Sequence, residues 1–99
     1  MTHEMLVALD VADPDLYQAY RAEMTPRLEA AGGGFRYDFE IARTLRSDVA
    51  HPITRVFAIH FPSRAAAEAF FADPAYAAIK ARTFAHAVRA TTIIAAYDR

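Results

Sequence analysis

An α+β sandwich of order β-α-β-β-α-β is the architecture this sequence predicts: one four-stranded antiparallel sheet with its helices on one face. Three observations predict it. Short apolar or aromatic runs of strand length stand near both ends and in the middle of the chain. Two Asp-Pro pairs, Asp13-Pro14 and Asp73-Pro74, combine an N-cap with proline at the first helical position. The run Gly32-Gly33-Gly34 stops a helix and releases an alternating strand.

The elements follow in order. Residues 5–11, Met-Leu-Val-Ala-Leu-Asp-Val, read as a first strand. After Asp13-Pro14, the residues Leu16, Tyr20, Met24, Leu28 and Ala31 recur at spacings of three and four and form one apolar helical stripe. Thr25-Pro26 lies inside it, and a proline lacks the N–H and clashes one turn back, so a kink or a capped restart is expected there. The second strand runs from 35 to about 45. Period-two alternation puts Phe35, Tyr37, Phe39 and Ile41 on one face and Arg36, Asp38 and Glu40 on the other. A polar turn at 46–52 leads into a third strand, 53–61, and the two strands form an antiparallel hairpin with a long loop. Ser63 caps a helix over 64–72, Asp73-Pro74 starts a further helical segment to about Phe84, and residues 91–97 make the last strand. With short connections throughout, this order is the ferredoxin-like split βαβ plan.

Composition bounds the function. The 99 residues suffice for one domain, 1–99, with a single core. Much of the apolar content is alanine, so stability leans on seven Phe, five Tyr and the strand aliphatics, and a thin core of this kind gains from a partner subunit. A net charge of -1 with interleaved signs offers no footprint for nucleic acid or anionic lipid. No apolar run approaches a membrane span, and Met1-Thr2-His3-Glu4 is not the basic start of a signal peptide, so a cytoplasmic protein is expected. Zero cysteines exclude disulfides and thiolate metal sites. The histidines His3, His51, His60 and His86 have no close ligand spacing, so neither a metal nor a cofactor is expected; His86, at a helix end, is the better placed of them for a single axial bond to haem, against the ordinary role of a solvated dipole partner.

The stretches Gly32 to Phe39, Arg55-Val56-Phe57, Phe61-Pro62-Ser63, Phe70 to Tyr76 and Thr91 to Ile94 together resemble the bacterial family called domain of unknown function 1330, over nearly the whole chain. The resemblance implies a dimeric α+β barrel, a homodimer in which two sheets face each other. Relatives in that superfamily include cofactor-free monooxygenases, haem proteins and small-molecule isomerases or cyclases, whose sites usually lie between sheet and helices. No catalytic motif carries across residue by residue, so the relatives' chemistry is an analogy of fold.

The residues themselves suggest two candidate places. Centring the hairpin loop near Val49 sets Asp38 opposite His60 and Glu40 opposite Ala58 on the ionic face. A carboxylate across from an imidazole favours its charged form and fixes its orientation, which suits a general base; the plainer alternative is an interface histidine with Arg36 and Asp38 as an ion pair. The same register sets Arg43 opposite Arg55 on the helix-facing side with Tyr37, where an anionic ligand would relieve the repulsion, as would solvent. Tyr17, Tyr20 and Tyr97 either line that cleft or serve as core residues with bonded hydroxyls. The expected function is binding of a small organic molecule in the cleft, through Tyr37, Arg55, Tyr17, Tyr20, Arg43 and Arg36. A cofactor-independent monooxygenase or isomerase using His60 and Asp38, and a non-catalytic dimerisation module, are the alternatives.

Overall fold

A computed structural model describes residues 2–99. The elements are β1 (His3–Val11), α1 (Pro14–Ala30), β2 (Gly34–Glu40), β3 (Arg55–Phe61), α2 (Arg64–Ala72), α3 (Pro74–Arg82), the single turn α4 (Phe84–Ala87) and β4 (Val88–Asp98). The strands form one antiparallel sheet in the order β2-β3-β1-β4. This is the ferredoxin-like plan predicted from the sequence.

The predicted helix starts hold because each is a local device. Asp13 accepts from the Leu16 N–H (3.1 Å), Ser63 from Ala66 (3.1 Å) and Asp73 from Ala75 (2.8 Å), each satisfying a donor that the first helical turn leaves free. No restart occurs at Pro26: α1 runs unbroken to Ala30, with Met24 and Leu28 buried on either side of the proline. Packing of the apolar face outweighs the one backbone bond the proline forgoes.

The end of α1 is a six-to-one, five-to-two closure: Gly33 N–H donates to Leu28 O (2.9 Å) and Gly32 N–H to Glu29 O (2.9 Å), with Gly32 at φ 84°. Gly33 is fixed by space. A Cβ there would lie 2.6 Å from the His60 carbonyl oxygen and 2.7 Å from Leu28 Cδ1. Gly33→Ala is therefore expected to destabilise the fold by roughly 1–3 kcal/mol, the usual cost of overpacking, read as a lower midpoint in urea with an unchanged m-value.

The core lies between the helices and one face of the sheet. Val7 and Leu9 of β1 and Phe57, Ile59 and Phe61 of β3 face Tyr17, Tyr20, Met24 and Leu28 of α1, with Phe70, Tyr76 and Ile79 closing the far side. By alternation Glu4, Leu6, Ala8, Val56, Ala58 and His60 lie on the opposite face, which no helix covers.

In β2 the predicted alternation fails midway, and a bulge is the reason. The pairing runs Gly34 with His60 and Phe35 with Ile59, then resumes with Tyr37 opposite Ala58, leaving Arg36 as an extra residue. Phe35 packs edge-on against Phe57 in the core (5.5 Å between ring centres). Beyond the extra residue the faces exchange. Tyr37 and Phe39 stack on each other (6.0 Å) on the uncovered face, 59% and 52% exposed, while Asp38 turns toward α1.

The hairpin register also differs from expectation: Asp38 stands opposite Phe57 and Glu40 opposite Arg55, not opposite His60 and Ala58. Ile41 N–H donates to Thr54 O (2.9 Å), so the loop is centred at Ser47–Asp48 rather than Val49, and the bulge adds a further residue of offset. Arg43 lies in this loop, exposed, and does not face Arg55. Thr54 also ties the loop to β1, its N–H donating to Leu9 O (2.8 Å) and its hydroxyl accepting from Val11 N–H (2.9 Å).

Candidate functional site

A cleft of about 630 Å³ opens between the sheet and the helices. Its floor is Met5, Val7 and Leu9 of β1 with Phe57 and Ile59 of β3. One wall is the α1 stripe, Tyr20, Arg21 and Met24, and the other is Tyr76, Lys80 and Phe84 from α3 and α4. The mouth lies along β4, where Thr91 is exposed and Ile93 is 55% exposed, with Phe71 at the rim. The helices leave the helix-side surface of this edge strand bare. That is why the space is a cleft and not a sealed void.

Few polar groups reach the cleft, and each has a defined state. The Tyr20 and Tyr76 hydroxyls are 2.7 Å apart and buried. Burial first, then the neighbouring phenol, pushes the Tyr20 pKa upward, and burial raises that of Tyr76, so both are neutral at physiological pH. Two neutral hydroxyls share one hydrogen bond and hold two protons. One O–H therefore remains as a donor with no protein acceptor among the described residues. Lys80, one turn after Tyr76 on the same face of α3, has its ammonium 5.4 Å from the Phe84 ring centre.

Arg21 is the most heavily engaged of these groups. Its guanidinium lies 3.9 Å from the ring centre of Phe35 and 4.8 Å from that of Phe57. Nε donates to the Tyr17 hydroxyl (2.8 Å), and Nη1 and Nη2 donate to the two oxygens of Asp38 (3.0 and 3.3 Å). Arg55 grips the same carboxylate through Nε (2.7 Å) and Nη2 (2.8 Å). Burial alone would raise the Asp38 pKa; hydrogen bonds from Arg55 and the charges of both arginines outweigh it and hold the carboxyl below its usual range. Asp38 thus acts as the shared anchor of two arginines, and it locks α1 to the sheet.

The expected Asp38–His60 pair does not form. The bulge sends Asp38 to the helix side, whereas His60 stays on the uncovered face. Burial, and secondarily the charge of Arg36, lower the His60 pKa against the pull of Glu4, and its Nδ1 is buried without a protein partner. The Arg36–Asp38 ion pair is absent as well. Arg36 instead donates through Nε to Glu4 (2.7 Å), a carboxylate whose side chain is only 4% exposed and which also accepts from Tyr97 and from Arg99 (3.2 Å).

Of the residues singled out in the sequence, Tyr20 alone lines the cleft. Tyr17 and Arg55 stand behind its wall in the Asp38 network, Tyr37, Arg36 and Tyr97 lie on the uncovered sheet face, and Arg43 is in the loop. Arg21, Tyr76 and Lys80 were not anticipated. Their signal is nevertheless present: Arg21 interrupts an apolar stripe between Tyr17 and Met24, and Tyr76 and Lys80 are an i, i+4 pair just after the Asp73-Pro74 start. Among the described residues no group of three or more His, Asp or Glu is placed to hold a metal ion, and no helix is long and apolar enough to cross a membrane.

Residues 5–97 match the family model described as Domain of unknown function (DUF1330). No curated protein matches the chain. Among solved structures, it is similar to a protein of unknown function from Rhodopseudomonas palustris at 23% identity, covering 99% of this chain and 82% of that one with a TM-score of 0.76. A dabb family protein with a ferredoxin-like fold from Mesorhizobium loti shares 14% identity over 99% of this chain and 96% of its own, at TM-score 0.67. A dimeric protein of unknown function and ferredoxin-like fold from Bacteroides fragilis shares 10% identity over 99% and 96%, at TM-score 0.54. At such identities the likeness is one of fold.

Proposed function

The chain belongs to this DUF1330 family, and from that footing we propose that it is a homodimeric binding protein that takes up a small organic molecule in the cleft between sheet and helices. The observation that carries the reading is the cleft itself: about 630 Å³, apolar on its floor, with a few convergent polar groups. Pockets that hold small ligands run roughly 300–1,000 Å³ with that same division of chemistry. A module serving only to dimerise would fill this space with its own aromatic rings, leaving voids of water size.

The groups present favour binding over acid/base turnover. No histidine, carboxylate, serine or cysteine lines the cleft, and both phenols are held neutral. Dimerisation is supported by the uncovered sheet face, which exposes Tyr37, Phe39 and Ile94, and by the description of the Bacteroides relative as dimeric. A contiguous apolar sheet face is a surface that monomers rarely leave to water.

Native mass spectrometry of the protein purified from its own host tests both parts. The expected spectrum shows a species of twice the 11.0 kDa chain mass, with a further small mass that is released on unfolding. A monomer at micromolar concentration refutes the dimer. A dimer with no retained mass, and no small molecule that perturbs the cleft tyrosines in solution, refutes the binding reading.

A further inference from the structure

We propose that the ligand is an apolar, ring-bearing monocarboxylate, its carboxylate held by Lys80 and the free phenolic proton of the Tyr20–Tyr76 pair. This deepens the cleft reading and rests on it. The lining contains two cations, Arg21 and Lys80, and no carboxylate. Their situations differ. Arg21 and Arg55 share Asp38, with Glu40 opposite Arg55 as the second counter-charge, whereas Lys80 makes no ion pair among the described residues. On the facing helix, Glu23 is occupied by Arg82 through both oxygens (3.0 and 3.3 Å). One positive charge at the wall of an apolar cleft is therefore left for a ligand to neutralise, which selects a monoanion over a neutral molecule or a dianion.

The donors converge with the charge. Lys80 follows Tyr76 by four residues on one helical face, and its ammonium and the Tyr20 ring both lie against the ring of Phe84 (5.4 and 5.0 Å), which gathers charge and phenols at one wall. An ammonium and a phenol supply donors only to an acceptor group, and a carboxylate offers two acceptor oxygens. Arg21 adds to this: of its five N–H groups three are taken by Tyr17 and Asp38, leaving two with no protein acceptor. For the body of the molecule, Phe35, Phe57, Phe71 and Phe84 supply ring faces and edges around the cleft, the environment that a flat aromatic skeleton fills best.

The test uses the full chain and three probes of one shape: 2-naphthoate, 2-naphthalenemethanol and 2-naphthylmethylammonium, titrated at pH 7 with NMR observation of the Tyr20, Tyr76 and Phe84 ring signals. The expected result is binding of the naphthoate at least about tenfold tighter than of the alcohol, with the ammonium weakest. Lys80→Met, an exposed position where folding is unaffected, is expected to reduce naphthoate affinity to that of the alcohol, while Arg64→Met, outside the cleft, leaves it unchanged. If the alcohol or ammonium binds as tightly as the naphthoate, or Lys80→Met leaves naphthoate binding intact, the monocarboxylate assignment is overturned and the cleft reading stands. If none of the three shifts the cleft rings, the cleft reading falls and takes the assignment with it.

Discussion

Asp38→Ala is expected to lower the unfolding free energy by about 3 kcal/mol, the low end of what breaking a buried ion pair costs, because the carboxylate is 31% exposed. For a chain of this size that is a fall in Tm of very roughly 12–24 °C. The reason is what remains after the carboxylate goes: Arg21, with 9% of its side chain exposed, and Arg55, with 18%, face each other across the gap with no counter-charge between them. If the penalty is the stranded arginine and not lost contact area, the double variant Arg21→Met/Asp38→Leu should regain more than half of it. A double variant as unstable as the single one would contradict this account.

The same carboxylate predicts a pH dependence. Its folded-state pKa lies below the value of an unfolded aspartate, about 3.9. A depressed carboxyl stabilises the fold fully above its unfolded pKa, and that contribution is lost as the pH falls through the folded one. Asp38→Asn is accordingly expected to flatten the acid limb of the stability curve below about pH 4. It should not abolish it, since Glu4 is likewise lowered, by the hydrogen bond from Tyr97 first and by the charges of Arg99 and Arg36.

Phe39→Asp is expected to convert the proposed dimer into a monomer, halving the mass seen by light scattering at micromolar concentration from twice the 11.0 kDa chain mass to once. Phe39 and its stacked neighbour Tyr37 stand on the uncovered sheet face, where a second copy would bury them. An aspartate there would have to lose its water with no partner to meet it, a cost of several kcal/mol paid twice in a symmetric interface. The monomer itself should be nearly as stable as before, because Phe39 is already half exposed within one chain. A variant that still runs as a dimer would move the interface to another surface.

How far the sequence reveals such a protein depends on whether a feature is local. The helix starts were legible because Asp13, Ser63 and Asp73 bond to N–H groups two or three residues away. The element order and the ferredoxin-like plan follow from those signals and from Gly32 to Gly34. The hairpin register was not legible, because it is set by closure between Ile41 and Thr54, thirteen residues apart, and by one unpaired residue at Arg36. Every candidate on β2 inherited that error: Tyr37 left the cleft and Asp38 entered its wall. The cleft's charge was hidden for another reason. Lys80 is the chain's single lysine, yet nothing local marks it until folding brings Tyr20, from a helix 60 residues earlier, against Tyr76, with their hydroxyls 2.7 Å apart.

The extra residue in β2 also governs how this strand tolerates change in length. Deleting Arg36 would join Phe35 to Tyr37 opposite Ile59 and Ala58, removing the bulge and restoring strict alternation while leaving Tyr37 and Phe39 on the uncovered face and Asp38 toward α1. A point substitution alters one side chain; a one-residue gap here removes the unpaired residue and leaves both surfaces as they are. What such a gap would take away is the Arg36 contact to Glu4 (2.7 Å), while the Asp38 anchor for Arg21 stays in place.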